Sequence, residues 1–96
     1  MSEAAAFIEA EGFTPIFDAV DAMVKTTDVT VQGTMRLGGG LVAVGITGDL
    51  ATVEEATEIG AETARAVSGG RVNSIIFANP SVPVSAIAHN TNLIDG

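Results

Sequence analysis

Between Ala4 and Gly12 the chain changes character at every step. Ala4, Ala6, Ile8 and Ala10 fall on one side of an extended backbone, with Phe7, Glu9 and Glu11 on the other. A period of two predicts a β-strand. At Thr14 the period changes. Thr14 is expected to cap a helix, with Pro15 at its first position, where the missing N–H does no harm. Ile16, Ala19, Val20, Met23 and Val24 then recur at helical spacing and form one apolar stripe, with Asp18 and Asp21 outside it. Lys25 falls in the last turn, where a cation suits the helix dipole.

Val29, Val31, Gly33 and Met35 alternate with Thr30, Gln32 and Thr34, which predicts a second strand with one polar face. "LVAVGIT", from Leu41, is almost continuously apolar, so the third strand is expected at the centre of a sheet, covered on both sides. Gly48-Asp49 ends it, with Asp49 as the N-cap of a second helix. Val53, Ala56, Gly60, Ala64 and Val67 form that helix's buried stripe, and Glu54, Glu55, Glu58 and Glu62 face outward. Gly69-Gly70 stops the helix. "VNSIIFA" is a fourth strand, ended by Asn79-Pro80, and a short helical turn is expected from Pro83.

The order β-α-β-β-α-β predicts an α+β, ferredoxin-like arrangement: one antiparallel sheet with two helices on one face and a short C-terminal helix or tail. Residues 1–96 read as a single domain, with an ordered core at about 4–88 and a tail at 89–96.

One stretch does not fit an ordinary hairpin. "RLGGGLV" places Gly38, Gly39 and Gly40 between two strands, where a tight turn needs only one or two glycines. The third is expected to lower stability with no structural return. The loop is not a phosphate cradle: such loops run from strand into helix, whereas this one joins strand to strand and no Lys-Ser/Thr follows it.

Composition sharpens the picture. The chain has no Trp, Tyr or Cys and only four Phe among its 96 residues, so Ala, Val and Ile must fill the core. Small side chains bury little area each, and a lone chain of this size would be marginal. A mean hydropathy of +0.43 on so small a chain implies apolar surface hidden against other subunits.

The formal net charge of −8 excludes nucleic-acid binding, which needs clustered Lys and Arg, and disfavours anionic membranes. The absence of Cys removes disulfides, zinc knuckles and thiol nucleophiles. The acid-containing N-terminus is not a secretory signal, and no apolar run is long enough to cross a membrane, so the protein is expected in the cytosol. No metal-ligand spacing is present and no cofactor is called for. His89, the only histidine, reads as a surface or interface residue. The carboxylate pairs Glu9/Glu11 and Glu54/Glu58 lie on solvated faces that would not raise a pKa for general-acid work. No catalytic site is expected.

The blocks "GFTPIFDAVDAMVKTTDV", "GTMRLGGGLVAVGITGDLATVEEATEIGA" and "VNSIIFANPSVPV" resemble the single-domain BMC hexamer type of bacterial microcompartment shell protein. The likeness runs from about Ala5 to about Ala88. It implies a BMC variant of the ferredoxin-like fold, no enzymatic activity, and flat cyclic homohexamers. These tile edge to edge with other shell proteins (hexamers, trimers and pentamers) into the shell of a carboxysome or metabolosome that encloses enzymes.

The same resemblance implies that the loop between the middle strands meets its symmetry mates at the six-fold axis and lines a pore for small metabolites. Arg36, Leu37, Gly38, Gly39 and Gly40 would form that pore. Many relatives carry Ser at the middle position, so Gly39 implies a slightly wider channel lined by backbone groups. Arg36 would place a ring of cations near one mouth and favour anionic metabolites; the alternative is a salt bridge to a neighbouring acid. Lys25, of the "DAMVK" block, would lie at the hexamer rim and donate to backbone carbonyls across the two-fold between tiles. Asn79 stands where many relatives carry Arg, which implies either weaker tile-to-tile contacts or contacts suited to a particular partner tile.

Two other classes share the element order. A small-molecule-binding ACT-like regulatory domain would place its glycines near the first strand–helix turn, here "EGFTPI". A small enzyme would need a partnered His, a Cys or buried paired acids, whereas His89 stands alone, Cys is absent and the acid pairs lie on solvated faces.

Overall fold

The computed structural model describes residues 3–89. Its elements are β1 (Ala4–Glu11), α1 (Phe13–Thr26), β2 (Thr30–Gly38), β3 (Leu41–Gly48), α2 (Leu50–Ser68), β4 (Val72–Phe77) and α3 (Val82–His89). The strands form one antiparallel sheet in the order β2-β3-β1-β4. This is the α+β, ferredoxin-like arrangement that the element order predicts. Of the expected tail at 89–96, His89 is instead the last residue of α3, and residues 90–96 lie outside the described residues.

The core lies between the sheet and the α1–α2 layer. Ala4, Ala6, Ile8 and Ala10 of β1 point into it, as their alternation requires, and meet Val42, Val44 and Ile46 of β3 on the same face. Strand β3 is buried along nearly its whole length, as its continuous apolar run predicts. Ile16, Ala19 and Met23 of α1 and Val53, Ala56, Ala61 and Ala64 of α2 close the core from the other side. The two helices approach closely at Gly60, where a Cβ would lie 2.8 Å from both Ile8 Cδ1 and Met23 Sδ.

Four local expectations are corrected. Thr14 does not cap α1: the helix starts at Phe13, and its N-cap is Gly12, whose φ of 84° a residue with a side chain would rarely adopt. Val24, at 49 % exposure, and Val67, at 44 %, are exposed and so fall outside the buried parts of the predicted stripes. The alternation of β2 also breaks. An extra residue at Gln32 bulges the strand between Val31 and Gly33. Val29 and Val31 therefore join the core, while Met35, paired with Ala43, faces the opposite side of the sheet. The Gln32 amide is held by a 2.8 Å bond donated to Thr47 Oγ1.

The fourth correction concerns the C-terminal segment. It forms two turns of helix rather than one, and α3 lies on the sheet face opposite α1 and α2. Asp49 and Gly69 behave as expected. The Asp49 carboxylate caps α2 by accepting from the Thr52 amide and hydroxyl, and Gly69 ends the helix in the left-handed conformation. Thr52's hydroxyl first, and neighbouring amides after it, hold the Asp49 pKa below the usual carboxylate range.

Candidate functional site

The glycine stretch is the tip of the β2–β3 hairpin. Gly38 pairs with Leu41, which leaves Gly39 and Gly40 as a two-residue turn. Their φ values are 62° and 83°, both positive, as a type I′ turn requires. Gly38, which follows a second bulge at Leu37, is positive too, at 88°. The expectation that the third glycine has no structural return is therefore corrected, because all three occupy left-handed backbone.

Backbone conformation favours glycine at all three positions. Asn is accepted at the first position of such a turn, and a Cβ added at any of the three would meet nothing within 4 Å in the protomer. The tip is open on all sides. Two contacts anchor its base. The Gly12 amide donates to the Gly40 carbonyl at 2.8 Å, fixing the loop to the start of α1. Arg36 lies on the helix side of the sheet, with its guanidinium carbon 5.4 Å from the centre of the Phe13 ring. Leu37 is 45 % exposed beside the loop.

Lys25 stands at the other end of α1. Its Nζ lies 3.0 Å from Asp21 Oδ2, a pair one turn apart with both side chains in solvent. A helix of 14 residues is about 20 Å long, so α1 separates Lys25 from the glycine tip by roughly that distance. Around Lys25, Thr26, Thr27, Asp28, Thr52 and Glu55 form a shallow polar cleft. Asn79 is exposed just beyond β4. His89 Nε2 lies 2.7 Å from Glu3 Oε1, tying the end of α3 to the segment before β1.

Sequence reasoning missed one feature. On the sheet face away from α1 and α2, a groove of about 460 Å³ runs beneath α3, lined mainly by Phe7, Met35, Leu37, Ile75, Phe77 and Ile87. Glu9 also lines it and accepts a 3.0 Å bond from the Asn73 amide. The signal was present in Phe7 on the side of β1 shared with Glu9 and Glu11, but the Gln32 bulge that brings Met35 there was not legible. Among the described residues no group of three or more His, Cys, Asp and Glu is placed to hold a metal ion. Among them, too, no helix is long and apolar enough to cross a membrane.

The BMC domain family matches residues 4–80 of this sequence. The chain belongs to that family. Among its relatives, the carboxysome shell protein CcmK2 of Synechocystis sp. is 41 % identical over 81 residues, covering 83 % of this chain and 79 % of the relative. The bacterial microcompartment shell protein PduA of Salmonella typhimurium is 38 % identical over 86 residues, covering 88 % of this chain and 89 % of the relative. The crystal structure of a microcompartment protein from Desulfitobacterium hafniense DCB superposes with a TM-score of 0.77 at 25 % identity. That match covers 96 % of this BMC-domain chain and 49 % of the neighbour's, so the chain spans about half of that structure.

The resemblance carried by the "DAMVK" and glycine blocks is thus borne out, as is the BMC variant of the fold. The ACT-like and enzymatic readings give way. The relatives of this BMC-domain protein are structural shell proteins, and the role these similarities support is structural.

Proposed function

We propose that this BMC-domain chain forms cyclic homohexamers that tile, with other shell proteins, into the shell of a bacterial microcompartment. In this reading the β2–β3 tip of each copy points at the six-fold axis, and Gly38, Gly39 and Gly40 line a pore for small metabolites. One observation carries it. Three consecutive glycines, each at a positive φ that favours glycine, sit at a tip with nothing packed against it in the protomer, which leaves room for copies of the same tip to approach one another. Six copies converging on one axis would use that room, and N–H and C=O groups would then face the channel.

Arg36, just behind the tip, would ring one mouth and favour anions. Phe13 beneath its guanidinium would hold each arginine back from the lumen, leaving its charge but not its bulk. Lys25 and Asn79 are assigned to the hexamer edge, where a flexible three-donor ammonium suits contacts to backbone carbonyls of the next tile. The placement of Lys25 about 20 Å from the tip along α1 is consistent with one end of the helix near the axis and the other near the rim.

Native mass spectrometry of the purified full chain tests the ring, with a six-fold multiple of the 9.7 kDa protomer expected. Electron micrographs of concentrated protein are expected to show extended sheets or tubes. A chain that stays monomeric at high concentration would overturn the proposal.

A further inference from the structure

Helix α3 is lightly attached to the rest of the protomer. Residues 78–81, which lead into it from β4, form neither strand nor helix. Its first turn is bonded to the segment's own Ser81, whose carbonyl accepts from the Ser85 amide at 2.9 Å and whose hydroxyl accepts from the Val84 amide at 3.5 Å. Of the α3 side chains described, Ala88 alone is buried, while Val84 is half-buried and Ile87 is 46 % exposed. Val84 and Ile87 form one wall of the groove. On the sheet face that α3 covers, Thr47 is buried, but its bond is to Gln32 of β2 and not to α3. One tie joins the end of α3 to a distant part of the chain. His89 Nε2 lies 2.7 Å from Glu3 Oε1, ahead of β1, and the two side chains are 40 % and 49 % exposed.

We propose that α3 is a strap over the sheet, fastened at its far end by His89 and Glu3, and that the fastening loosens as the imidazole loses its charge. The device belongs to the protomer and goes beyond the hexamer reading. Histidine changes charge near neutral pH. An imidazolium and a carboxylate coexist between about pH 4 and about pH 6.5, the ordinary values of the two side-chain types. Above that range a neutral ring still donates its N–H, but the ionic attraction is gone. Because so little of α3 is buried, this one contact is a large share of what holds it. The charged groups on the elements packed against α3 do not compete. Glu9 is six residues from Glu3, about 20 Å along an extended strand, and is bonded to Asn73. Glu11 lies further still along β1, and Arg36 of β2 packs on Phe13 on the helix side of the sheet. Neither β3 nor the rest of α3 carries a titratable side chain. Releasing the strap removes the Val84 and Ile87 wall and opens the groove into a broad apolar face of Phe7, Met35, Ile75 and Phe77.

Hydrogen exchange of the full chain, followed by mass spectrometry, reads the strap directly in peptides covering residues 82–89, once corrected for the intrinsic exchange rate at each pH. An exposed ion pair shifts an equilibrium by about two- to fivefold. Wild-type α3 is therefore expected to be about two- to fivefold better protected at about pH 5.5 than at about pH 8, while α1 and α2 keep one level. Glu3→Gln and His89→Gln remove the ionic attraction and are expected to show the lower protection at both pH values. His89→Lys keeps a positive charge throughout and is expected to hold the higher protection at both. All three substitutions fall on partly exposed side chains, so circular dichroism and the oligomeric state in native mass spectrometry are expected to match wild type. Equal protection of wild-type α3 at the two pH values would overturn the proposal without recourse to any variant. A pH difference that persists in Glu3→Gln would overturn it too, as would a His89→Lys strap no tighter than wild type in the alkaline sample. None of these results bears on the hexamer reading, which native mass spectrometry tests separately.

Discussion

The Gly12 amide donates to the Gly40 carbonyl at 2.8 Å, so the start of α1 and the tip of the β2–β3 hairpin are one mechanical unit. Gly12 reaches that position only through its own left-handed turn, at a φ of 84°. The hairpin tip is therefore not a free loop.

Substitutions at Gly39 separate what the turn needs from what the pore needs. Its φ of 62° is a conformation that Asn visits at small cost, whereas a β-branched residue pays about 1–2 kcal/mol there. Gly39→Asn is expected to stay within about 0.5 kcal/mol of wild type in denaturant unfolding, and Gly39→Val to lose about 1–2 kcal/mol. Both place side chains in the proposed channel, so both should slow metabolite leakage from assembled shells. Leakage unchanged by Gly39→Asn would remove the pore role; an Asn variant as unstable as the Val variant would contradict the turn geometry.

Gly60 gives a stability prediction of mixed sign. Alanine at a helix interior gains roughly 1 kcal/mol over glycine in propensity. Here its Cβ would press on Ile8 Cδ1 and Met23 Sδ at 2.8 Å, in a core where both neighbours are fully buried. Overpacking of this kind costs about 1–3 kcal/mol, so Gly60→Ala is expected to be destabilising by about 1 kcal/mol net. Ile8→Val removes one of the two obstructing atoms. The double variant Ile8→Val/Gly60→Ala should therefore be more stable than the two single losses added together. Strict additivity in urea melts would show that Gly60 is not the point of contact.

Asp49 supplies the pH dependence. Its carboxylate is held below the ordinary range, chiefly by the Thr52 hydroxyl, so folding favours the ionised form. That contribution is fully present above the ordinary carboxylate pKa of about 4. It is lost as the pH falls through the lower value of the folded state. Asp49→Ala is expected to melt below wild type at neutral pH, and the gap between the two should narrow as the pH drops into the acid range. A gap that is constant with pH would mean that the cap works without its charge.

Much of this architecture was legible in the chain, and the failures share a cause. The alternation of Ala4 to Ala10, the Asp49 cap and the Gly69 stop are local signals, and each element followed them. Thr14 misled because Ser and Thr are favoured N-caps, but a glycine two residues earlier could make the turn that ties α1 to the hairpin. Met35 was assigned to the face of Val29 and Val31 because a bulge adds a residue without changing composition. The groove followed from that bulge and from α3, whose own apolar periodicity is short. Val24 was placed in an apolar stripe and Val67 in a buried one because periodicity reports which side of a helix is apolar, not how much of that side is covered. The glycine tip was visible as an anomaly; that its three residues are all left-handed needed the backbone itself.

The edge assignment can be tested without disturbing the protomer. Lys25 and Asp21 form an exposed pair one turn apart, a kind worth about 0.3–0.5 kcal/mol. Lys25→Ala should therefore shift unfolding by no more than that and leave the hexamer intact. If Lys25 donates across the gap between tiles, the same variant should abolish sheets and tubes in electron micrographs at concentrations where wild type forms them. Asn79 offers the complementary gain. Exposed beyond β4 and uncharged, it reaches less far than a guanidinium and cannot make bidentate contacts. Asn79→Arg is expected to lower the concentration at which sheets appear, with an effect that weakens as salt is raised. Sheets that persist in Lys25→Ala would place this lysine away from the rim. An Asn79→Arg variant indistinguishable from wild type across salt concentrations would do the same for the β4–α3 turn.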